Sequence, residues 1–520
     1  MAAGQQGVTV GIDLGTTYSA IAWVEPSGHV EVVPNSEGTL TTPSVVFFDC
    51  DTAIVGDEAA KAALLEPERA AECFKRDMGR AKYRRTVCGK HMRPEALSAI
   101  VLKRLKQDAE RRIGPIQNAV ITVPAYFDDA RRKATQDAGE IAGLNVIGII
   151  NEPTAAAICY GYGRKSDPSE KYIVLVYDLG GGTFDATLMH IAGDDEFTTV
   201  ATDGDVVLGG KEWDQRLLDH VASEFVRKAG ADPRDDPAAY QELALRVEQC
   251  KRTLSRRQSV VIPVAHAGQR LGVTIDRNKF RELTADLLAR TQSTIELLLT
   301  EAGLDWPQVN AVLLSGGASR MVMVREMIAK VTHKEPDETL DEDLAVAKGA
   351  ALYAASLQVA QQPAAPAFVE PTAAKLANLT HRSVNAHSLG VAARDAVTGQ
   401  LKNVILIPKN TGLPYQKSHT FGVAAANAQA VRVKVLEGEA PVPEGCTEIG
   451  MCVIAGLPPN LPKGSPVDVA FSYSEDGRVH VHAVARAANL STSVEIIRPE
   501  ALSNADVTQH AQELSEYQVV

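Results

Sequence analysis

Two copies of one strand-and-turn unit constrain this chain more than any other feature. Ile12-Asp13-Leu14-Gly15-Thr16-Thr17-Tyr18-Ser19-Ala20 follows one short apolar run, and Tyr177-Asp178-Leu179-Gly180-Gly181-Gly182-Thr183-Phe184-Asp185 follows another. Glycines let a backbone come close to a phosphate and turn several N–H groups toward it. Neighbouring hydroxyls add donors, and an aspartate at the strand end can hold hydrated Mg²⁺. A single Asp-Leu-Gly is an ordinary tight turn. The second copy points to a duplicated unit whose turns face each other across a nucleotide held between two lobes.

The 520 residues leave room for roughly three domains of ~150 residues. From residue 8 to about 358, strand-like apolar runs alternate with amphipathic stretches, as in α/β domains. Helices are expected over 94–112, 128–142, 152–160, 212–229, 241–254, 284–302, 321–331 and 343–356. A Pro/Ala-rich run from Gln361 to Pro371 reads as an extended or flexible connector. Beyond it the period becomes two. Val467, Val469, Phe471 and Tyr473 lead to a turn at Asp476-Gly477 and return through Val479, Val481 and Ala483, while Val431, Val433 and Val435 alternate with Arg432 and Lys434. The expected division is an α/β domain over 1–358, a linker over 359–383, an antiparallel β domain over 384–498 and, over 499–520, one short polar helix at most.

A net charge of −12 argues against nonspecific binding to nucleic acid or anionic lipid. Seven cysteines without Cys-x-x-Cys spacing fit a reduced protein; Cys446 and Cys452 could pair across strands, but read better as small apolar residues. His480 and His482 share a strand face without a third ligand and read as surface. The opening Met1-Ala2-Ala3-Gly4-Gln5-Gln6-Gly7 lacks the basic and apolar regions of a signal peptide, and no apolar run approaches the ~20 residues of a membrane helix, so a cytoplasmic protein is expected.

A third glycine turn, Leu314-Ser315-Gly316-Gly317-Ala318-Ser319-Arg320, follows a strand and opens a helix. With it stand Asn151-Glu152-Pro153-Thr154-Ala155-Ala156-Ala157, the run from Ala119 to Phe127, and Glu248-Gln249-Cys250-Lys251-Arg252-Thr253-Leu254-Ser255. On these segments the chain resembles the DnaK-type heat shock protein 70 chaperones. The resemblance implies a two-lobed, actin-like (ribonuclease-H-like) α/β ATPase followed by a β-sandwich that binds extended apolar segments of unfolded polypeptides.

Roles follow residue by residue. Gly15, Thr16, Thr17, Gly180, Gly181, Gly182 and Thr183 are implied to donate to the β- and γ-phosphates of ATP, Tyr18, Gly209 and Gly210 to belong to the same ATP site, and Asp13, Asp178 and Asp185 to stand around Mg²⁺ and K⁺, largely through water. Lys75 is implied to stand beside the γ-phosphate and attacking water, with Glu152 positioning water near the ion. Glu248, Lys251, Arg252 and Ser255, spaced along one helical face, would clamp the adenosine with Gly316, Gly317, Arg320 and Asp343. Pro124 and Arg131 are implied to relay nucleotide state, and Val391, Phe421, Val431 and Val433 to line a peptide slot, although core packing explains those four equally well. J-domain co-chaperones and a nucleotide exchange factor are the implied partners.

The chain also departs from the family. The stretch between Arg85 and Pro94 is short, which implies a reduced upper lobe. Leu379-Thr380-His381-Arg382-Ser383-Val384 replaces an acidic, leucine-rich connector and has little apolar surface with which to dock. The lid is expected to be absent beyond Ser503. A non-cycling family member, an actin-fold kinase and a filament protein remain as alternatives.

Overall fold

The computed structural model describes residues 7–162, 164, 172–361, 368–395, 397–474, 477–496, 498 and 501–520. Most of the Pro/Ala-rich run (362–367) and Asp476 of the expected hairpin turn lie outside the described residues.

Both duplicated glycine turns sit where a strand doubles back on its neighbour. Val8–Asp13 pairs antiparallel with Tyr18–Val24, and Tyr172–Leu179 with Phe184–Ala192. Each hairpin gains a third antiparallel strand, Val30–Val32 or Glu196–Asp205, and carries a parallel strand on its other side, Ile116–Val123 or Ala311–Ser315. The repeat seen in the sequence is therefore also a repeat of strand order. Val10, Ile12, Val174 and Val176 are fully buried, as strands covered on both faces must be.

Between the two sheets lies a core of small residues contributed by the helices Glu152–Gly161 and Ala345–Gln361. Small side chains bring backbones close: a Cβ on Gly349 would fall 1.8 Å from the Ala155 carbonyl oxygen, and one on Gly11 would fall 2.1 Å from the Ala351 nitrogen. Gly349→Val should therefore cost about 3 kcal/mol or more of stability. Thermal melting checks this, and a curve superimposable on the parent's would show that the helices can move apart.

The first lobe carries a further small sheet of Val45–Asp49, Thr52–Val55 and Ala70–Glu72. The segment after Arg85 holds only the two-residue strands Thr86–Val87 and Lys90–His91, as its shortness implied. In the second lobe the helix Pro237–Leu254 starts earlier than expected, because the Asp236 side chain accepts the Ala239 N–H and caps it. The hairpin Ser259–His266 with Gln269–Asp276 was not anticipated.

The connector departs from expectation. Its described part is docked: Phe368 is buried, Thr372–Asn378 is helical, and Thr380–Arg382 adds to the second lobe's sheet as a parallel strand beside Glu196–Asp205. Leu379 is buried, and His381 packs its ring on Tyr353 at 4.7 Å between centroids. Burial lowers the His381 imidazole to about 4, so it docks as a neutral aromatic. Strand pairing satisfies backbone groups whatever the side chains, and Phe368, Leu376, Leu379 and His381 supply the apolar contact.

Residues beyond the connector form two four-stranded antiparallel sheets sharing one core. One runs Leu401–Ile407, Leu389–Arg394, Ala430–Glu437, Thr447–Ala455; the other runs Tyr415–Gly422, Pro466–Tyr473, Val479–Ala485, Leu490–Glu495. All seven cysteines are free thiols, and His480 and His482 are exposed.

The C-terminal stretch is more than a polar helix. Asn504–Glu516 is capped by Ser503, whose hydroxyl accepts the Asp506 N–H. Val507, Leu514 and Val519 enter the first lobe's core, Tyr517 stands edge-on to Phe48, and Gln518–Val519 pairs with Thr52–Val55. The sequence allowed one short polar helix here at most; the apolar stripe is too narrow to reveal what it covers. Among the described residues no helix is long and apolar enough to cross a membrane.

Candidate functional site

The two duplicated turns and the Gly316-Gly317 turn open onto one cavity of about 860 Å³ between the lobes. Asp13, Gly15, Thr16, Thr17, Tyr18, Lys75, Glu152, Asp178, Gly180, Gly181, Thr183, Gly210, Glu248, Lys251, Arg252, Ser255, Gly316, Gly317, Arg320 and Asp343 all line it. Three expected contacts stand behind its wall. Gly182 and Gly209 are glycines because the turns touch there: a Cβ on Gly182 would meet Thr16 Cγ2 at 2.5 Å, and one on Gly209 would meet Gly182 N at 2.6 Å. Asp185 is buried and accepts the Tyr126 N–H at 2.9 Å.

At the phosphate end Lys75, delivered by the short helix Phe74–Asp77, donates from Nζ to Glu152 Oε1, and both side chains are buried. Asp13 accepts from Thr122 Oγ1 at 3.1 Å, and Asp178 from Ser315 Oγ at 3.2 Å. Burial, with the Glu152 charge acting in the same direction, pushes Asp13 and Asp185 up to about 7 and Asp178 well above the ordinary carboxylate range. Buried carboxylates with raised pKa values are a ready site for a hard cation. Among the described residues no three His, Cys, Asp or Glu side chains converge to cage a metal directly.

At the other end the helix Pro237–Leu254 lines the cavity with Glu248, Lys251, Arg252 and, just beyond it, Ser255. Arg252 donates to Tyr18 Oη at 2.9 Å and to Glu248 Oε1 at 2.7 Å, and its guanidinium lies 5.2 Å from the Tyr18 ring centroid. Lys251 donates to Asp214 Oδ2 at 2.9 Å and to the Gly210 carbonyl at 3.1 Å, so it braces the phosphate loop as well as facing the cavity. Burial alone would raise Glu248, but Lys211, Lys251 and Arg252 hold it below its ordinary value. Gly316 has φ 78°, and a Cβ there would lie 2.6 Å from Asp178 Oδ1, so only glycine lets the third turn close on the second. Arg320 reaches Asp343 at 2.5 Å across the mouth.

The sequence profile described as Hsp70 protein matches residues 9–519. The chain is 40% identical over 519 residues to the chaperone protein DnaK of Thermotoga neapolitana, covering 98% of this chain and 83% of that one. The Thermotoga petrophila protein of the same name matches equally, and that of Thermosipho melanesiensis is 38% identical over 518 residues. The chain belongs to the Hsp70 family.

The contact between this family member's ATPase lobes and its sandwich falls partly on residues that sequence reasoning passed over. Pro124 ends the strand Ile116–Val123, its carbonyl accepting the Phe127 N–H. Arg131 turns back on Asp128 at 3.5 Å and on the Phe127 ring at 5.6 Å. The crossing is made by Arg498, which bridges Asp128 Oδ2 at 3.2 Å to Glu437. Lys409 reaches Glu301 at 2.8 Å, Asn410 Oδ1 accepts the Thr202 N–H at 2.9 Å, and His387 packs on Tyr126 at 4.3 Å. Surface-type residues on separate segments carry no local signal of such meetings. In the sandwich Val391 and Val433 are buried in the core, whereas Val431 and Phe421 are only partly covered.

Proposed function

We propose that this chain is an ATP-dependent chaperone that hydrolyses ATP to ADP and phosphate in the cavity between its lobes and binds extended apolar segments of unfolded polypeptides on its sandwich. The observation that carries the reading is the buried Lys75–Glu152 pair beside three glycine turns lining one cavity. The units are 1–358 for the actin-like ATPase, 359–383 for the connector, 384–498 for the substrate-binding sandwich and 499–520 for a C-terminal segment that packs on the first lobe.

Gly15, Thr16, Thr17, Gly180, Gly181 and Thr183 bind the phosphates through N–H and hydroxyl donors. Lys75 keeps a fixed positive charge where negative charge develops on the transferred phosphoryl group, and Glu152 holds that ammonium in place and orients water. Mg²⁺, held beside Asp13 and Asp178 with Asp185 behind them, supplies charge neutralisation when bound, and K⁺ is the further cation the family pattern implies. Arg252, Glu248, Ser255, Gly317, Arg320 and Asp343 hold the adenosine. J-domain co-chaperones and an exchange factor are the partners of such a cycle, and the cytoplasm is its compartment.

The test is single-turnover ATP hydrolysis with and without an extended aliphatic peptide. A docked connector strand joins the sandwich to the second lobe, so saturating peptide should change the rate; a bound peptide that leaves it unchanged defeats the coupling. Val431→Phe should weaken peptide binding about tenfold by filling the half-open slot beside Val433. Unaltered affinity in a fluorescence titration would place the slot elsewhere.

A further inference from the structure

Lys75 is followed by a residue the mechanism above does not use. Arg76 sits on the same short helix, Phe74–Asp77, but its side chain leaves the first lobe. Its Nε donates to the Gly182 carbonyl at 3.0 Å, and its Nη1 and Nη2 donate to Glu212 Oε1 and Oε2 at 2.9 and 2.6 Å. Gly182 and Glu212 both belong to the second lobe. One side chain therefore makes three hydrogen bonds across the cleft, beside the lysine assigned to the chemistry.

Both ends of this contact are anchored. In the first lobe Phe74 and Asp77 are buried, and Asp77 accepts from Arg84 Nε at 2.7 Å. In the second lobe Glu212 Oε2 accepts the Gly209 N–H at 2.8 Å in a capping box that starts the helix Gly210–Ala229. The Gly210 and Lys211 N–H groups donate in turn to the Gly180 and Gly181 carbonyls at 2.9 and 3.0 Å. Phosphate turn, helix start and Arg76 are thus one connected network. The Gly182 carbonyl and the Thr183 N–H share a trans peptide and point in opposite directions, so the arginine that fixes the first also fixes the second. The Arg76 side chain is only 9% exposed and Glu212 27%, so the pair is shielded from solvent screening.

We propose that Arg76 and Glu212 form a strap between the lobes: positioning residues that hold the second lobe's phosphate turn against Lys75 and must part for nucleotide to leave. The proposal rests on the ATPase reading for its kinetic consequences, but the strap itself is testable without nucleotide. A planar fork matched to a carboxylate is a geometry that lysine cannot reproduce.

Arg76→Met keeps the stem and removes the fork; Glu212→Gln removes the charge. In each variant three quantities are read: dissociation of a fluorescent ADP, the single-turnover rate of pre-bound ATP, and amide hydrogen exchange at Gly209–Lys211 without nucleotide. The expected result is ADP release about tenfold faster in either variant, on the scale of charge-assisted bonds lost across an interface. The double variant should be no faster than the single ones, and exchange at 209–211 should rise in Arg76→Met. Arg76→Lys should fail to restore slow release. Unchanged exchange in Arg76→Met, or additive effects on release, overturns the strap. A parent protein that neither binds ADP nor hydrolyses ATP, yet shows the exchange difference, defeats the ATPase reading and leaves the strap standing.

Discussion

Lys75→Ala is expected to lower single-turnover ATP hydrolysis by about 100-fold or more while leaving ATP affinity within a few-fold of the parent. The size follows from removing a preorganised charge from a buried site, where it meets developing negative charge with little competition from water. Affinity survives because the glycine turns and the Arg252–Tyr18 clamp are untouched. The substitution also leaves Glu152 buried without its partner, beside carboxylates that burial already pushes upward. Lys75→Gln, which keeps a donor near Glu152, separates a fold defect from a catalytic one: both variants should bind ATP in equilibrium titration and neither should hydrolyse it at the parent rate. Near-normal turnover in either removes Lys75 from the mechanism.

The docking of the sandwich onto the first lobe should weaken as pH rises from about 4 to about 7. Asp129 opens the helix Asp129–Ile141 beneath the sandwich, and burial followed by the Glu437 charge pushes it up to about 7, with Arg498 opposing. Glu437, on the sandwich side, is raised by burial too, against the pull of Arg498. Asp128, Arg132, Tyr473 and His387 complete the charged and titratable surroundings. In an undocked form Asp129 returns to ~4, so the docked form holds an extra proton between these values. Its contribution is present in full below the ordinary carboxylate range and is lost as pH rises through about 7. The Asp129 proton alone changes the docking equilibrium by about tenfold per pH unit, and Glu437 acts in the same direction. Small-angle scattering across pH 5 to 8, roughly the range over which the change falls, should show expansion with rising pH, and Asp129→Asn should flatten that response. A parent protein whose dimensions ignore pH, or an Asn variant that responds as strongly, would falsify the assignment.

That the two glycine turns would face one cavity was legible because their parts are local. Asp13 to Thr17 and Asp178 to Thr183 are contiguous turns, and a turn's chemistry is written in adjacent residues. The cavity-facing side of the helix Pro237–Leu254 was legible for the same reason, since Glu248, Lys251, Arg252 and Ser255 follow one another at helical spacing. Individual glycines were less so: Gly182 and Gly209 looked like ligand contacts, yet they are small because two turns touch behind the cavity wall.

The connector shows the limit from the other side. Thr380, His381 and Arg382 lack the apolar character that docking was expected to need, yet they pair as a strand because the edge of Glu196–Asp205 offers backbone partners and Tyr353 offers a ring.

By itself, the sequence determined the duplicated strand-turn-strand units, the change to period-two strands after the connector and the glycine turns that line the cavity, because each is a pattern within a few residues of chain. Only the tertiary structure decided that Arg76 meets Glu212, that Arg498 bridges Asp128 to Glu437, that His381 docks and that the C-terminal helix closes on the first lobe rather than on the sandwich. The physical reason is that an arginine, a glutamate or a histidine on a surface looks the same in sequence whether or not a distant segment folds against it; the partner is supplied by topology.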